Sequence, residues 1–158
     1  MLGPEIAWGW MDHRFDFSGV ENRLAQSGGV AETIEIACLW DRILETYLAL
    51  KSGLSPLAEH VLGHFSHAYP QGVSLYMILL GEAADAKSAE LRLREIWEVA
   101  MRTSIEHGAT ISHHHGIGLA RQVYLRQELG SSFEVLEQIK GVLDPHGILN
   151  PGKLGFRR

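Results

Sequence analysis

VLGHFSHAYPQGVSLYMILL, residues 61–80, is the stretch on which the fold turns. Two apolar runs rich in β-branched and aromatic residues, Val61–Tyr69 and Val73–Leu80, flank Pro70-Gln71-Gly72. Proline and glycine there suit a short connection and neither a helix nor a strand interior, so an antiparallel hairpin is predicted. Side chains alternate along a strand, so Tyr76 shares a face with Ser74 and Ile78, and a phenol projects from an otherwise apolar strand. By the same alternation His64 and His67, three apart, face opposite sides.

Upstream, VAETIEIACL (30–39) alternates Thr33, Glu35 and Ala37 against Glu32, Ile34, Ile36 and Cys38, a strand pattern. Asp41 is placed to cap or sit in the first turn of a helix through Lys51, with Ile43, Leu44, Tyr47 and Leu48 as its apolar stripe and Gly53 as its stop. Downstream, residues 85–107 form the longest periodic segment. Leu93, Ile96, Trp97, Ala100, Met101, Ser104 and Ile105 recur at helical spacing, Gly108 ends the helix, and Ala109–Ser112 runs on as a short strand. The order strand, helix, strand, strand, helix, strand defines an α+β fold: a ferredoxin-like split βαβ antiparallel sheet. Two helices are appended. One spans residues 120–129; the other opens at a Ser131/Glu134 capping box and turns Val135, Leu136, Ile139 and Val142 inward. Residues 30–158 form the domain, and residues 1–29 an aromatic-rich segment with Trp8, Trp10, Phe15 and Phe17 and a short helix over 20–26. That segment packs on the domain or on something outside it.

The composition narrows the function. The 158 residues carry a net charge of −5 and no Lys/Arg run that would track phosphates, which argues against nucleic acid. Cys38 is the single cysteine, so no internal disulfide forms. No leader-like N-terminus and no apolar run of the ~18 residues that span a bilayer is present, and a cytoplasmic protein is expected.

Chemistry concentrates in TISHHHGIG, residues 110–118. Histidine is a poor core residue, and it is the side chain that exchanges protons near neutral pH. His113, His114 and His115 therefore read as a proton-transfer or anion-contact site. Metal binding is the weaker reading. On an extended segment at most two of the three rings reach one ion, and no HExxH, cysteine pair or spaced carboxylate supports it. GIGLAR after the triplet falls short of a dinucleotide fingerprint, because Arg121 stands where the third glycine belongs.

Three segments, HFSHAYPQGVSLY, ATISHHHGIGLAR and VLDPHGILNPGKLGF, resemble the C-terminal part of FAD-linked oxidases of the vanillyl-alcohol oxidase type. The SHHHGIG stretch points to the alkyldihydroxyacetonephosphate synthase branch, and DPHGILNPGKL is common to the wider superfamily. The resemblance implies a substrate or cap domain that packs over FAD held by a separate N-terminal FAD-binding domain. This chain would then be a fragment of a longer flavoenzyme, colourless and inactive alone, with a small-molecule substrate and a homodimer allowed. It further implies that Tyr76 is a proton donor and acceptor and that His113, His114 and His115 act beside it. Arg23, or alternatively Arg14, would hold a substrate phosphate, with His67 also on the substrate side, while Asn150 and Lys153 would approach the flavin. The implied activity is a redox-neutral exchange of an acyl ester for an alkyl ether, or else oxidation of a 2-hydroxy acid such as glycolate or D-lactate. A non-catalytic ferredoxin-like ligand-binding module is the reading from another class.

Overall fold

The computed structural model describes residues 3–156; the ends of the N-terminal segment and of the tail lie outside them. The hairpin forms as expected: β2 (His60–Ala68) and β3 (Gly72–Glu82) pair antiparallel, and β1 (Gly29–Leu39) pairs antiparallel with the other edge of β3, giving the order β1-β3-β2. Tyr76 sits between Glu35 on β1 and His64 on β2. On one face Ile34, Ile36, Leu75, Met77 and Leu79 are fully buried. They meet Leu50 and Leu54 of α3 (Ile43–Leu54) and Ile96, Ala100 and Met101 of α4 (Ala86–Glu106). Each large side chain so buried stabilises the fold by ~1.5–3 kcal/mol, which makes this layer the core. Helix α4 starts where the sequence places it, with the Asp85 carboxylate accepting from the Ser88 N–H at 2.7 Å.

Among the described residues, no helix layer like α3 and α4 covers the other sheet face, which bears Thr33, Glu35, Ser74, Tyr76 and Ile78. Near one end lies α2 (Ser18–Leu24), tied down by the Arg23 guanidinium, which donates to the Gly81 carbonyl at 3.0 Å. Preceding it, α1 (Glu5–His13) buries nothing, and Trp8 and Phe15 are 66% and 75% exposed. Within the aromatic segment, α2 touches the sheet while α1 and its aromatics add nothing to the core.

Several expectations need correction. The fourth strand reduces to one bridge: Ala37 N–H donates to the Thr110 carbonyl at 3.3 Å, and Thr110 N–H donates back to Ala37 at 2.9 Å. Beyond it, side chains of α5 (Gly118–Leu129) take over. Glu128 accepts from the Thr110 hydroxyl at 2.5 Å and from the Ile111 N–H at 3.2 Å. Along α3 the buried stripe is Ile43, Thr46, Leu50 and Leu54, while Leu44 and Leu48 are exposed. Thr46 fits there because its hydroxyl donates to the Arg42 carbonyl at 2.9 Å, so no polar atom is left unpaired. Helix α3 also runs through Gly53, and Arg42 rather than Asp41 stands at its N-cap, without a side-chain hydrogen bond. Finally, α6 (Ser132–Leu143) lacks the capping box. Ser131 has helical dihedrals (φ −63°, ψ −22°), not the extended backbone that aims a cap hydroxyl, and Glu134 N–H donates to its carbonyl instead. Among the residues of α6 only Phe133 is buried. It lies beneath the Arg126 guanidinium and beside Phe156, whereas Val135, Ile139 and Val142 face outward because α6 rests on α5 and the tail alone.

Candidate active site

After Thr110 the chain leaves the sheet edge and folds over the open face, with positive φ at Gly116 (79°) and Gly118 (56°) making the turn into α5. Two buried charged groups, neither expected from the sequence, hold it there. Arg121 on α5 is 6% exposed. Its guanidinium donates to the Gly116 carbonyl at 3.0 Å and the Glu35 carbonyl at 3.2 Å, and lies 4.8 Å from the centre of the Trp97 ring. The Glu35 carbonyl points off the free edge of β1, so Arg121 supplies the hydrogen bond that a longer fourth strand would have made. Desolvation lowers the guanidinium pKa, against the opposing pull of Glu35 and Glu32, without bringing an arginine near neutrality.

Glu35 is the second. Its side chain is fully buried in the middle of the open face. Oε2 accepts the backbone N–H of His113 at 3.0 Å and lies 3.5 Å from that of His114. Oε1 has no hydrogen-bond partner among the described residues, and faces Nδ1 of His114 at 3.2 Å and Nδ1 of His113 at 3.7 Å. On the far side of the ring, Nε2 of His114 is 2.6 Å from the Tyr76 hydroxyl. The His115 ring stands edge-on to Tyr76 with centroids 5.2 Å apart. A continuous polar path, Glu35 to His114 to Tyr76, thus runs from the buried strand to the half-exposed phenol. Burial, and then the Glu35 carboxylate, raise the Tyr76 pKa, so at neutral pH the phenol carries its proton.

The hairpin parity expected for the other histidines is overturned. A register shift between Phe65 and Ala68 adds one residue to β2, so His67 comes to lie beside Ser74 and joins His64 on the Tyr76 face. Ser74 Oγ accepts the His67 N–H at 3.2 Å and is 3.3 Å from His67 Nδ1, while the His67 ring lies 4.7 Å from that of His114 and the His64 ring 5.7 Å from Tyr76. The triplet is not extended either: Nδ1 of His113 and Nδ1 of His114 are 3.0 Å apart. With His67 they bring three imidazole donors within 4.8 Å of one another, so strand alternation does not separate these rings. Tyr69, in the hairpin connection, covers His113 with ring centroids 5.5 Å apart.

The remaining candidate residues stand apart from this cluster. The Gly81 carbonyl that Arg23 binds is five residues along β3 from Tyr76, roughly 17 Å at the strand rise. Arg14 donates to the Met11 carbonyl at 2.7 Å and stacks on Phe15, within its own exposed segment. Asn150 (φ 47°) and Lys153 lie exposed in the tail, where Lys153 N–H donates to the Asn150 carbonyl. Asp144 shapes that tail by accepting from the Ile148 and Leu149 N–H groups and from Lys140. The Lys140 bond first, and the two backbone bonds after it, lower the Asp144 pKa.

Fold and site together define a class: an α+β domain that presents a contiguous tyrosine–histidine cluster on an open sheet face. The family model described as FAD linked oxidases, C-terminal domain, matches residues 7–154, and the chain belongs to that family. Similar proteins include the uncharacterized FAD-linked oxidoreductase YgcU of Escherichia coli (strain K12), 28% identical over 84% of this chain and 29% of its own length. Alkyldihydroxyacetonephosphate synthase of Trypanosoma brucei brucei is 26% identical over 97% of this chain and 26% of its own. A D-lactate dehydrogenase of Anaerostipes hadrus is 29% identical over 70% of this chain and 23% of its own. The chain thus spans about a quarter of the length of these relatives. No helix among the described residues is long and apolar enough to cross a membrane.

Proposed function

We propose that this chain is the substrate-side part of an FAD-dependent enzyme of the alkyldihydroxyacetonephosphate synthase type. In this reading residues 30–158 form the domain, residues 1–29 run along a partner, and an FAD-binding domain outside these residues completes the site. The observation that carries it is the 2.6 Å contact between the Tyr76 hydroxyl and His114, inside an SHHHGIG stretch. The residues present fit a flavin brought from elsewhere: the phenol and imidazoles stay partly exposed, on a sheet face without a covering helix layer. When bound, the flavin would supply an acceptor for electrons from the substrate carbon. Tyr76, His114 and His115 would stand against substrate and flavin, and Asn150 and Lys153 would reach the cofactor from the tail.

This chain's own residues move the proton. Tyr76 passes its hydroxyl proton to Nε2 of His114, takes one from the substrate, and later returns it; the buried Glu35 carboxylate lies where it offsets the imidazolium that forms. In the synthase-like reaction the acyl group leaves as a carboxylic acid and a fatty alcohol takes its place as an ether, with no net redox change. A phosphate-bearing substrate needs a cation. Arg23 and Arg14 are the proposed holders, though a small substrate at Tyr76 reaches neither where they now stand.

A second reading is hydride removal from a 2-hydroxy acid, favoured by the D-lactate dehydrogenase relatives and the NPGKL tail. An anaerobic visible spectrum of the full-length protein decides between them. Bleaching by a 2-hydroxy acid from a panel would establish the oxidase reading. A flavin band that stays, with ether formed from an acyl dihydroxyacetone phosphate and a fatty alcohol, would establish the synthase reading. The chain by itself should purify colourless, and stoichiometric flavin on it would refute the need for a second domain.

A further inference from the structure

Glu35 is the one acidic side chain at the middle of the site, and offsetting an imidazolium during turnover does not account for its place against the resting histidines. A buried carboxylate oxygen without a hydrogen bond is costly unless a positive or polarised hydrogen lies close to it. Around Oε1 the structure offers the two Nδ1 atoms of His113 and His114, and the three atoms form a triangle with sides of 3.0, 3.2 and 3.7 Å. With Glu35 as a carboxylate, three lone pairs converging at those distances would repel one another, so at least one of the two nitrogens carries a proton. The corner where the short sides meet is Nδ1 of His114, 3.0 Å from the His113 nitrogen and 3.2 Å from Oε1. A proton there donates to Nδ1 of His113 and stands against Oε1 as a close electrostatic contact rather than a directed hydrogen bond. A proton on Nδ1 of His113 would instead face Oε1 across 3.7 Å.

A neutral imidazole carries one N–H, so a proton on Nδ1 leaves Nε2 bare. Nε2 is the atom 2.6 Å from the Tyr76 hydroxyl, which carries its own proton at neutral pH and donates it into that lone pair. We propose that Glu35 is a positioning residue: it selects the Nδ1–H tautomer of His114 and so makes Nε2 the acceptor for the Tyr76 proton. Oε2 adds to this by accepting the backbone N–H of His113, which fixes the loop that carries the rings. The consequence for turnover rests on the proposed function, but the tautomer does not.

The test uses the ¹⁵N-labelled 158-residue chain at a pH about two units above the ordinary imidazole pKa of ~6.5. Long-range ¹H–¹⁵N correlation distinguishes a protonated ring nitrogen from a bare one, and His114→Gln assigns the signals. The unmodified chain should show His114 protonated at Nδ1 and bare at Nε2. In Glu35→Gln the amide oxygen has to stay on the His113 N–H, which turns the amide NH₂ toward Nδ1 of His114. That donor requires a bare Nδ1, so the proton should move to Nε2 and the two signals exchange. Tyr76→Phe should leave the Nδ1–H form in place.

A His114 protonated at Nε2 in the unmodified chain would overturn the proposal, and that result remains decisive if Glu35→Gln fails to fold. Retention of Nδ1–H in a folded Glu35→Gln chain would overturn it equally. In the full-length enzyme the wrong tautomer should lower turnover by ~10²–10⁴-fold, the range expected for a misdirected general base. Exchanged signals with unchanged turnover would uphold the role of Glu35 and remove the proton-handling reading of Tyr76.

Discussion

Replacing Arg121 by methionine keeps much of the apolar stem and removes the guanidinium. Two charge-assisted bonds are lost, to the Gly116 and Glu35 carbonyls at 3.0 and 3.2 Å, each worth ~1.5–3 kcal/mol. Stacking on Trp97 adds ~0.5–1 kcal/mol more. Against this, a cation 6% exposed no longer has to be stripped of water, which returns part of the loss. The expected net destabilisation is ~2–4 kcal/mol. At ~2–4 °C per kcal/mol for a domain of this size, Tm should fall by roughly 5–15 °C in a thermal melt followed by circular dichroism. Arg94→Met is the control. It breaks an ion pair with Glu90 whose side chains are 73% and 62% exposed, and such pairs contribute ~0.3–0.5 kcal/mol. A Tm for Arg121→Met within about 2 °C of the control would refute the idea that Arg121 stands in for the missing strand.

Other changes probe other parts of the molecule. Tyr76→Phe in the full-length enzyme should lower turnover by ~10²–10⁴-fold with flavin content unchanged, and unchanged turnover would return Tyr76 to the ordinary strand aromatics. Gly63→Ala should cost ~1–3 kcal/mol in denaturant unfolding, because its Cβ would lie 2.4 Å from the Tyr47 ring and force it off its edge-on contact with Phe65. A neutral effect would mean that the ring swings aside freely. Asp144→Asn should speed hydrogen exchange at the Ile148 and Leu149 amides. The Asp144 pKa is lowered in the folded state, so the stabilisation it gives holds above the ordinary carboxylate pKa of ~3.9 and fades as pH falls through the folded value. Exchange at those amides that is independent of pH after correction for intrinsic rates would contradict this. Tyr76 and Tyr124 have raised pKa values, both chiefly from burial. Stability should therefore hold below the ordinary phenol pKa of ~10 and decline as pH rises through the folded values, which a spectrophotometric tyrosine titration can follow.

The sequence alone determined what depends on local periodicity. The alternation in Val30–Leu39 and the Pro-Gln-Gly connection specify β1 and the hairpin, and the i, i+3, i+4 spacing behind Asp85 specifies α4, because pleat and helix pitch are properties of a few consecutive residues. The SHHHGIG stretch was likewise legible as a segment outside the core, since three adjacent histidines have no packing explanation. Amphipathicity misled in α6, where a correct apolar stripe has no partner among the described residues, and in α3, where a threonine with a satisfied hydroxyl displaced two leucines from the core. Tertiary structure decided the rest. Glu35 reads as one polar residue in a strand, and its burial comes from a loop 78 residues away whose backbone it binds. Arg121, 86 residues from its acceptor on β1, looks like a flaw in a glycine motif until it is seen capping a strand edge. One extra residue in β2 carried His67 to the side of the sheet opposite the one that alternation assigns. Such polar partners are set by which elements the fold brings together, and no spacing within a single element encodes them.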